Sequence, residues 1–174
     1  MSIHRIRLAG PWQLRTVQDS GDELLRSKRA SEFSVARECR TTLPCQLYGA
    51  DTQLPAEQNS DLRQMCLCRR FHCPGGLGPD TEVRVVIVAT SIDVSVNVNG
   101  AAVSAVCVRS ITAEDCPIRS VSAVDGAELI RMEYAVRKVL QPFNEVVLKR
   151  TSRTDHLSEC TILEVSLEIA EPES

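Results

Sequence analysis

Apolar and polar residues alternate with a period of two over long parts of the chain. The clearest run covers residues 82–98, where valine and isoleucine alternate with polar residues on either side of a short break. A second run covers residues 161–170, with leucine, valine or isoleucine at every second position from 163 to 169. This period is typical of β-strands that bury one face, so the pattern predicts strands in both regions.

Weaker alternation predicts further strands near residues 3–8, 12–17, 33–39, 62–71, 101–108, 129–136 and 144–150. Two polar stretches rich in turn residues, 18–32 and 41–61, are interpreted as irregular connections, the first with room for a short helical turn. Another helical turn is predicted at 136–141, before Pro142. Because no long helix alternates with the strands, the pattern favours an all-β, antiparallel β-sandwich over an α/β fold.

The dipeptide Asn99-Gly100 stands at the end of the second strand of the strongest run. Asn and Gly adopt positive φ at low cost, which both central residues of a type I′ turn require. The sequence therefore predicts a two-residue hairpin in which residues 92–98 pair with residues 101–108.

The composition limits the kinds of partner that the chain is expected to bind. The 174 residues are 43% hydrophobic and 25% charged, which fits one domain spanning residues 1–174. A net charge of −3 gives no electrostatic case for binding nucleic acid or an anionic membrane. The first residues lack the apolar core of a signal peptide, and no stretch is long and apolar enough to span a bilayer. We expect a cytoplasmic protein with neither nucleic-acid nor membrane partners.

Eight cysteines are present, and three of them lie in the segment CLCRRFHC at residues 66–73. Reduced thiols are the default expectation for a cytoplasmic chain of this length, with several of them in the core. In a strand, Cys66, Cys68 and His72 would share one face, which leaves a zinc site open as a less favoured reading. We predict mostly free thiols, no metal site and no cofactor.

Several landmarks then form a familiar order along the chain. They are LAGPWQLR near the start, TTLPCQL, CLCRRFHCP, the paired strands that end in Asn-Gly, and EYAVRKVLQPFNEVVLKR. Together they resemble the sugar-binding jelly-roll domain that precedes the catalytic barrel in family 2 glycoside hydrolases. The resemblance implies a galactose-binding-domain-like jelly roll, in which the structural signature residues are Trp12, Pro44, Phe71, Pro74, Asn99, Gly100 and Asn144.

The chain also departs from that family. The His-Gly-Gly-Tyr type of segment expected after the Asn-Gly turn is replaced by VSAVCVRSITAEDCPIRS, and the barrel that carries both catalytic carboxylates is absent from the sequence. The resemblance therefore implies the fold and not the hydrolase activity.

Candidate chemistry is sparse. Glycoside hydrolysis needs two carboxylates across the scissile bond, and no such pair stands out among acidic residues that fall at solvent-facing positions or in turns. Sugar binding usually needs an exposed aromatic ring, and only Tyr48 in the long connection looks free for it. We predict a non-catalytic β-sandwich that acts through protein or structural contacts. The alternative is a carbohydrate-binding or accessory module that holds sugars weakly.

Overall fold

A computed structural model describes residues 2–18, 35–47, 63–112, 128–150 and 160–172 of the chain. Alternating apolar residues form twelve strands within these ranges. In chain order they are β1 (Ser2–Arg7), β2 (Trp12–Gln18), β3 (Val35–Thr41), β4 (Cys45–Leu47), β5 (Arg63–His72), β6 (Glu82–Ala89), β7 (Val94–Val98), β8 (Ala101–Val103), β9 (Ala105–Ile111), β10 (Leu129–Ala135), β11 (Phe143–Arg150) and β12 (Cys160–Glu171).

The strands form two antiparallel six-stranded sheets. The first sheet has the order β1-β12-β6-β10-β9, with β4 also paired to β12, and the second has the order β3-β2-β5-β11-β7-β8. Within the described ranges, one 3₁₀ helix, at Arg137–Val139, precedes β11 where the sequence predicted a helical turn. The prediction of an all-β antiparallel sandwich is confirmed.

The core lies between the sheets and is built from the alternating residues that the pattern placed on one face. Inward-facing positions of β6, β7, β11 and β12 are almost fully buried, and they include Val85, Ile87, Val96, Leu148 and Leu167. Burying such side chains contributes about 1.5–3 kcal/mol each, so this layer supplies most of the driving force for the fold.

The Asn99-Gly100 turn has the predicted geometry, with φ of 53° at Asn99 and 81° at Gly100. Its return strand differs from the prediction. Only residues 101–103 pair with β7, and after Ser104 the chain enters the first sheet, where β9 pairs with β10. Alternation continues through this change of sheet, so the sequence pattern alone could not reveal it.

The stretch 41–61 also differs from the expected irregular connection where it is described. A cis peptide bond joins Leu43 to Pro44, and the three-residue strand β4 then pairs with the start of β12. Within the described ranges, no helix has the length and apolar character needed to cross a membrane.

Candidate functional site

The outer face of the second sheet brings the most chemically distinctive side chains together. Leu67, Phe71, Val146 and Leu148 point toward the core, so the residues between them on β5 and β11 point outward. The register places Phe143 beside His72, Glu145 beside Arg70, Val147 beside Cys68 and Lys149 beside Cys66. On the other side of β5, Gln13 and Arg15 of β2 lie beside Cys68 and Cys66. We call this surface the outer face of the second sheet.

A pair of thiols lies at one end of this face. Cys66 and Cys68 are 3% and 1% exposed, and their Sγ atoms are 3.9 Å apart. They pack against Val147 in a small apolar cluster separate from the main core. Sequence alternation predicted that the two cysteines share a face, and the structure places them there.

The two thiols have different acidities. A hydrogen bond from Cys68 lowers the pKa of the Cys66 thiol against the opposing effect of burial, and the positive charges of Lys149 and Arg15 add to the lowering. The same hydrogen bond raises the pKa of Cys68, and burial adds to that rise. Cys66 is therefore the more acidic thiol of the pair.

Ion pairs occupy the middle of the face. Glu145 Oε1 lies 3.4 Å from Arg70 Nε and 3.9 Å from Arg15 Nη1. Arg15 also donates a hydrogen bond of 2.7 Å to Oε1 of Gln13. Because Arg70 is 81% exposed at its side chain, its guanidinium remains accessible to a ligand despite this contact.

An exposed aromatic ring occupies the other end of the face. Phe143 is 72% exposed, and its ring lies 4.7 Å from the ring of His72 at an angle of 60°. The sequence pattern does not point to Phe143, because its place between a turn and a strand gives no alternation signal of its own. Tyr48, the predicted sugar-stacking residue, lies outside the described residues.

His72 does not join the two thiols as the zinc reading required. It shares their face, but its ring contacts Phe143. Among the described residues, no group of three or more His, Cys, Asp or Glu side chains is arranged to hold a metal ion. Seven described cysteines are free of disulfide bonds, and Cys116 lies outside the described residues.

The structural signature residues occupy supporting positions. Trp12 is fully buried and donates a hydrogen bond of 3.0 Å from Nε1 to the carbonyl of Leu8. Phe71 is partly buried against the core, and Pro74 begins the turn after β5. Pro44 follows the cis bond before β4 and is exposed. None of these four lies on the outer face of the second sheet, which fits a structural role.

Asn99, Gly100 and Asn144 organise one end of the sandwich. The amide nitrogen of Asn99 donates hydrogen bonds of 2.8 Å to the carbonyl of Val139 and 2.9 Å to Oδ1 of Asn144. Asn99 Oδ1 accepts a hydrogen bond from the backbone nitrogen of Glu145. The side chains thus tie the β7–β8 turn to the 3₁₀ helix and to β11.

Carboxylates on the outer face of the first sheet are paired with arginines. Glu164 Oε1 lies 2.8 Å from Arg5 Nη2, and Glu133 Oε2 lies 2.9 Å from Arg84 Nη1. Burial alone would raise the pKa of Glu133, but hydrogen bonds from Arg131 and Arg84, and the charges of both, outweigh it and lower the pKa. A general acid of a glycosidase needs the opposite shift, toward a raised pKa.

Comparison with known proteins finds a similarity to a solved structure. No family model and no curated protein sequence matches the chain. An FMN-binding β-glucuronidase from Facaelibacterium prausnitzii L2-6 matches with a TM-score of 0.52 and 17% sequence identity. The match covers 96% of this chain and 22% of that enzyme. The chain thus has a fold similar to one domain-sized part of a glycoside hydrolase. This finding agrees with the resemblance of the sequence to a glycoside hydrolase domain.

Proposed function

We propose that this chain is a non-catalytic β-sandwich that acts through contacts with another protein, made along β1. All six residues of β1 are exposed, and the strand forms an edge of the first sheet. Two large apolar residues lie on it, Ile3 at 61% exposure and Ile6 at 42%. An exposed edge strand with apolar side chains is a template for pairing with a second chain, so this edge is the observation that carries the proposal.

The pairing of the carboxylates supports the non-catalytic part of the proposal. Glu133 contacts Arg84 and Arg131, and Glu164 contacts Arg5. Because the arginines lower the pKa of Glu133, this carboxylate is held in its ionised form and is not suited to donate a proton to a leaving group.

The chemistry of β1 defines the kind of partner. A partner segment in extended conformation would pair with the side of β1 that faces away from β12, where no described strand lies. Apolar side chains on that segment would contact Ile3 and Ile6. A carboxylate would suit Arg7, whose side chain is 51% exposed and lies 4.0 Å from Glu164.

Two double variants on opposite edges of the first sheet test the proposal. Ile3→Lys/Ile6→Lys places charges on β1, and Val106→Lys/Val108→Lys does the same on β9, where the valines are 58% and 52% exposed. Affinity-tagged chains would be crosslinked in cell extract, and the captured proteins quantified by mass spectrometry. We expect at least one protein that the wild type and the β9 variant capture and the β1 variant loses. Equal capture by all three chains, or equal loss in both variants, would contradict the proposal.

A second candidate function is supported by Phe143. An exposed ring beside the accessible Arg70 and Glu145 is the arrangement by which a sandwich face stacks against a sugar and hydrogen-bonds its hydroxyl groups. The β-glucuronidase with the similar fold adds support for a carbohydrate-related module. In this case the chain is an accessory module that binds an oligosaccharide across the outer face of the second sheet.

A cytoplasmic location and the absence of nucleic-acid and membrane partners remain predictions.

A further inference from the structure

We propose that Cys66 and Cys68 form a binding site for a soft monovalent metal ion, namely Cu(I). The proposal is independent of the protein-contact function, because the two thiols lie on the second sheet and β1 lies on the first. It rests on the geometry of the thiols, on their surroundings and on the charges next to them.

The distance between the sulfur atoms suits chelation of one ion. Two metal–sulfur bonds of about 2.3 Å each would span the observed 3.9 Å with an angle of about 116° at the metal. Two-coordinate Cu(I) is close to linear, so the two side chains would rotate slightly on binding to move the sulfurs apart and widen this angle. Both Cys66 and Cys68 would bind as thiolates and release their protons to solvent.

The same two residues are poorly placed for a disulfide bond. They are two positions apart in a strand, which separates their Cα atoms by roughly 6.6 Å, near the upper limit for disulfides. Both neighbouring strands pair with β5 here, so the backbone is not free to bring the two residues closer. The strand therefore keeps the thiols as a pair that can bind a metal.

The surroundings favour a soft ion of low coordination number over zinc. Structural zinc takes four ligands, and the described residues offer no third His, Cys, Asp or Glu at this place. Thiolates select Cu(I), and Val147, which packs against both thiols, offers no oxygen ligand to a harder ion.

Charge also favours a monovalent ion. Two thiolates and one Cu(I) carry a net charge of −1, and Arg15 and Lys149 flank Cys66 on the two neighbouring strands. Their side chains are long and partly exposed, so they can move aside to admit the ion and then compensate its charge.

Variants of the full chain test the site by competition with a Cu(I) chelator under anaerobic conditions. We expect the wild type to bind about one tightly held Cu(I) per chain. Cys66→Ser and Cys68→Ser should each weaken this binding by roughly 100-fold or more, because the second thiol acts at high effective concentration. The control variant Cys73→Ser/Cys107→Ser removes two other thiols, which are partly exposed. It should bind Cu(I) as the wild type does. Equal loss in the control, or no loss in Cys66→Ser or Cys68→Ser, would overturn the proposal.

A measurement on the unmodified chain keeps the test valid if the variants fold poorly. X-ray absorption spectra of the Cu(I)-loaded wild type should show two sulfur ligands at about 2.3 Å. A first shell of nitrogen and oxygen would overturn the proposal, and so would Zn(II) that displaces Cu(I) at equal concentration.

Discussion

The side chain of Asn99 donates a hydrogen bond of 2.9 Å to Oδ1 of Asn144, across the end of the second sheet. Asn144 is 2% exposed, and it also accepts a hydrogen bond from the backbone nitrogen of Gln141 and donates one to the Gln141 carbonyl. One buried amide thus holds the β7–β8 turn, the segment after the 3₁₀ helix and the start of β11 in place.

We expect Asn144→Ala to destabilise the protein by about 1–3 kcal/mol, because its buried backbone and side-chain partners would lose their hydrogen bonds. Urea unfolding followed by circular dichroism measures the change. Asn97→Ala is the control, since Asn97 is an asparagine of the neighbouring strand on the outer face, and it should change stability by no more than about 0.5 kcal/mol. A loss for Asn144→Ala no larger than that of the control would show that the network contributes little.

Gly100→Val should cost about 1 kcal/mol or more. Gly100 has a φ of 81°, and a Cβ there would meet nothing within 4 Å, so the cost is backbone strain and not a steric clash. Gly75→Val is the matched control, because a Cβ at Gly75 also meets open space and its φ lies outside the left-handed region. Thermal melting of both variants decides the matter. Equal melting temperatures would mean that the turn tolerates the substitution and that the strain argument is wrong.

Glu133→Gln should remove a pH-dependent part of the stability. The folded protein lowers the pKa of Glu133, so the charged form contributes stability that is fully present above the unfolded value of about 4.3. This contribution is lost as the pH falls through the lower, folded pKa. The difference in unfolding free energy between wild type and variant should therefore be largest near pH 7 and shrink toward pH 3.

Glu82→Gln provides the control for this pH series. Glu82 contacts the same arginine, Arg84, at 2.6 Å, but its side chain is 56% exposed and water screens the pair. We expect Glu82→Gln to change the unfolding free energy only slightly. A gap between wild type and Glu133→Gln that stays constant from pH 7 to pH 3 would contradict the assignment.

Sugar binding, if present, should be weak and should depend on Phe143. Among the described residues, Trp12 and Tyr134 are buried and Phe143 is the exposed ring. One ring and a few hydrogen bonds worth about 0.5–1.5 kcal/mol each support dissociation constants near or above about 1 mM. Calorimetry with glucuronides and galactosides would measure this, with Phe143→Ala expected to abolish binding. Ile92→Ala, which removes another exposed apolar side chain, should leave sugar binding unchanged.

The protein should release no nitrophenol from nitrophenyl glycosides, and turnover by pure protein would refute the non-catalytic proposal.

Local alternation predicted the strands well because burial on one face imposes a period of two. It correctly gave β6, β7 and β12, the shared face of Cys66 and Cys68, and the turn at Asn99. It could not tell which sheet a strand joins. The switch at Ser104 and the pairing of β4 with β12 are contacts between distant segments, which local sequence does not encode.

The candidate site was harder to predict than the fold. Phe143 became notable only when the register placed its exposed ring beside His72, and a hydrophobic residue in a strand is otherwise expected to be buried. The sequence pattern predicts a strand that contains Ile3 and Ile6, but it gives no sign that both side chains are exposed on β1. Exposure of an apolar residue follows from the tertiary position of its strand, which periodicity does not contain.

The pairing of β1 with β12 has a consequence for engineering. Ser2 and Glu171 are register partners, so the two ends of the described fold lie about one strand spacing, roughly 5 Å, apart. A short linker between them would permit circular permutation, with new termini opened at the turn near Gly75. Domains with adjacent ends also tolerate insertion into a loop of another protein. This sandwich could therefore be inserted into such a loop without forcing the two ends of the loop apart.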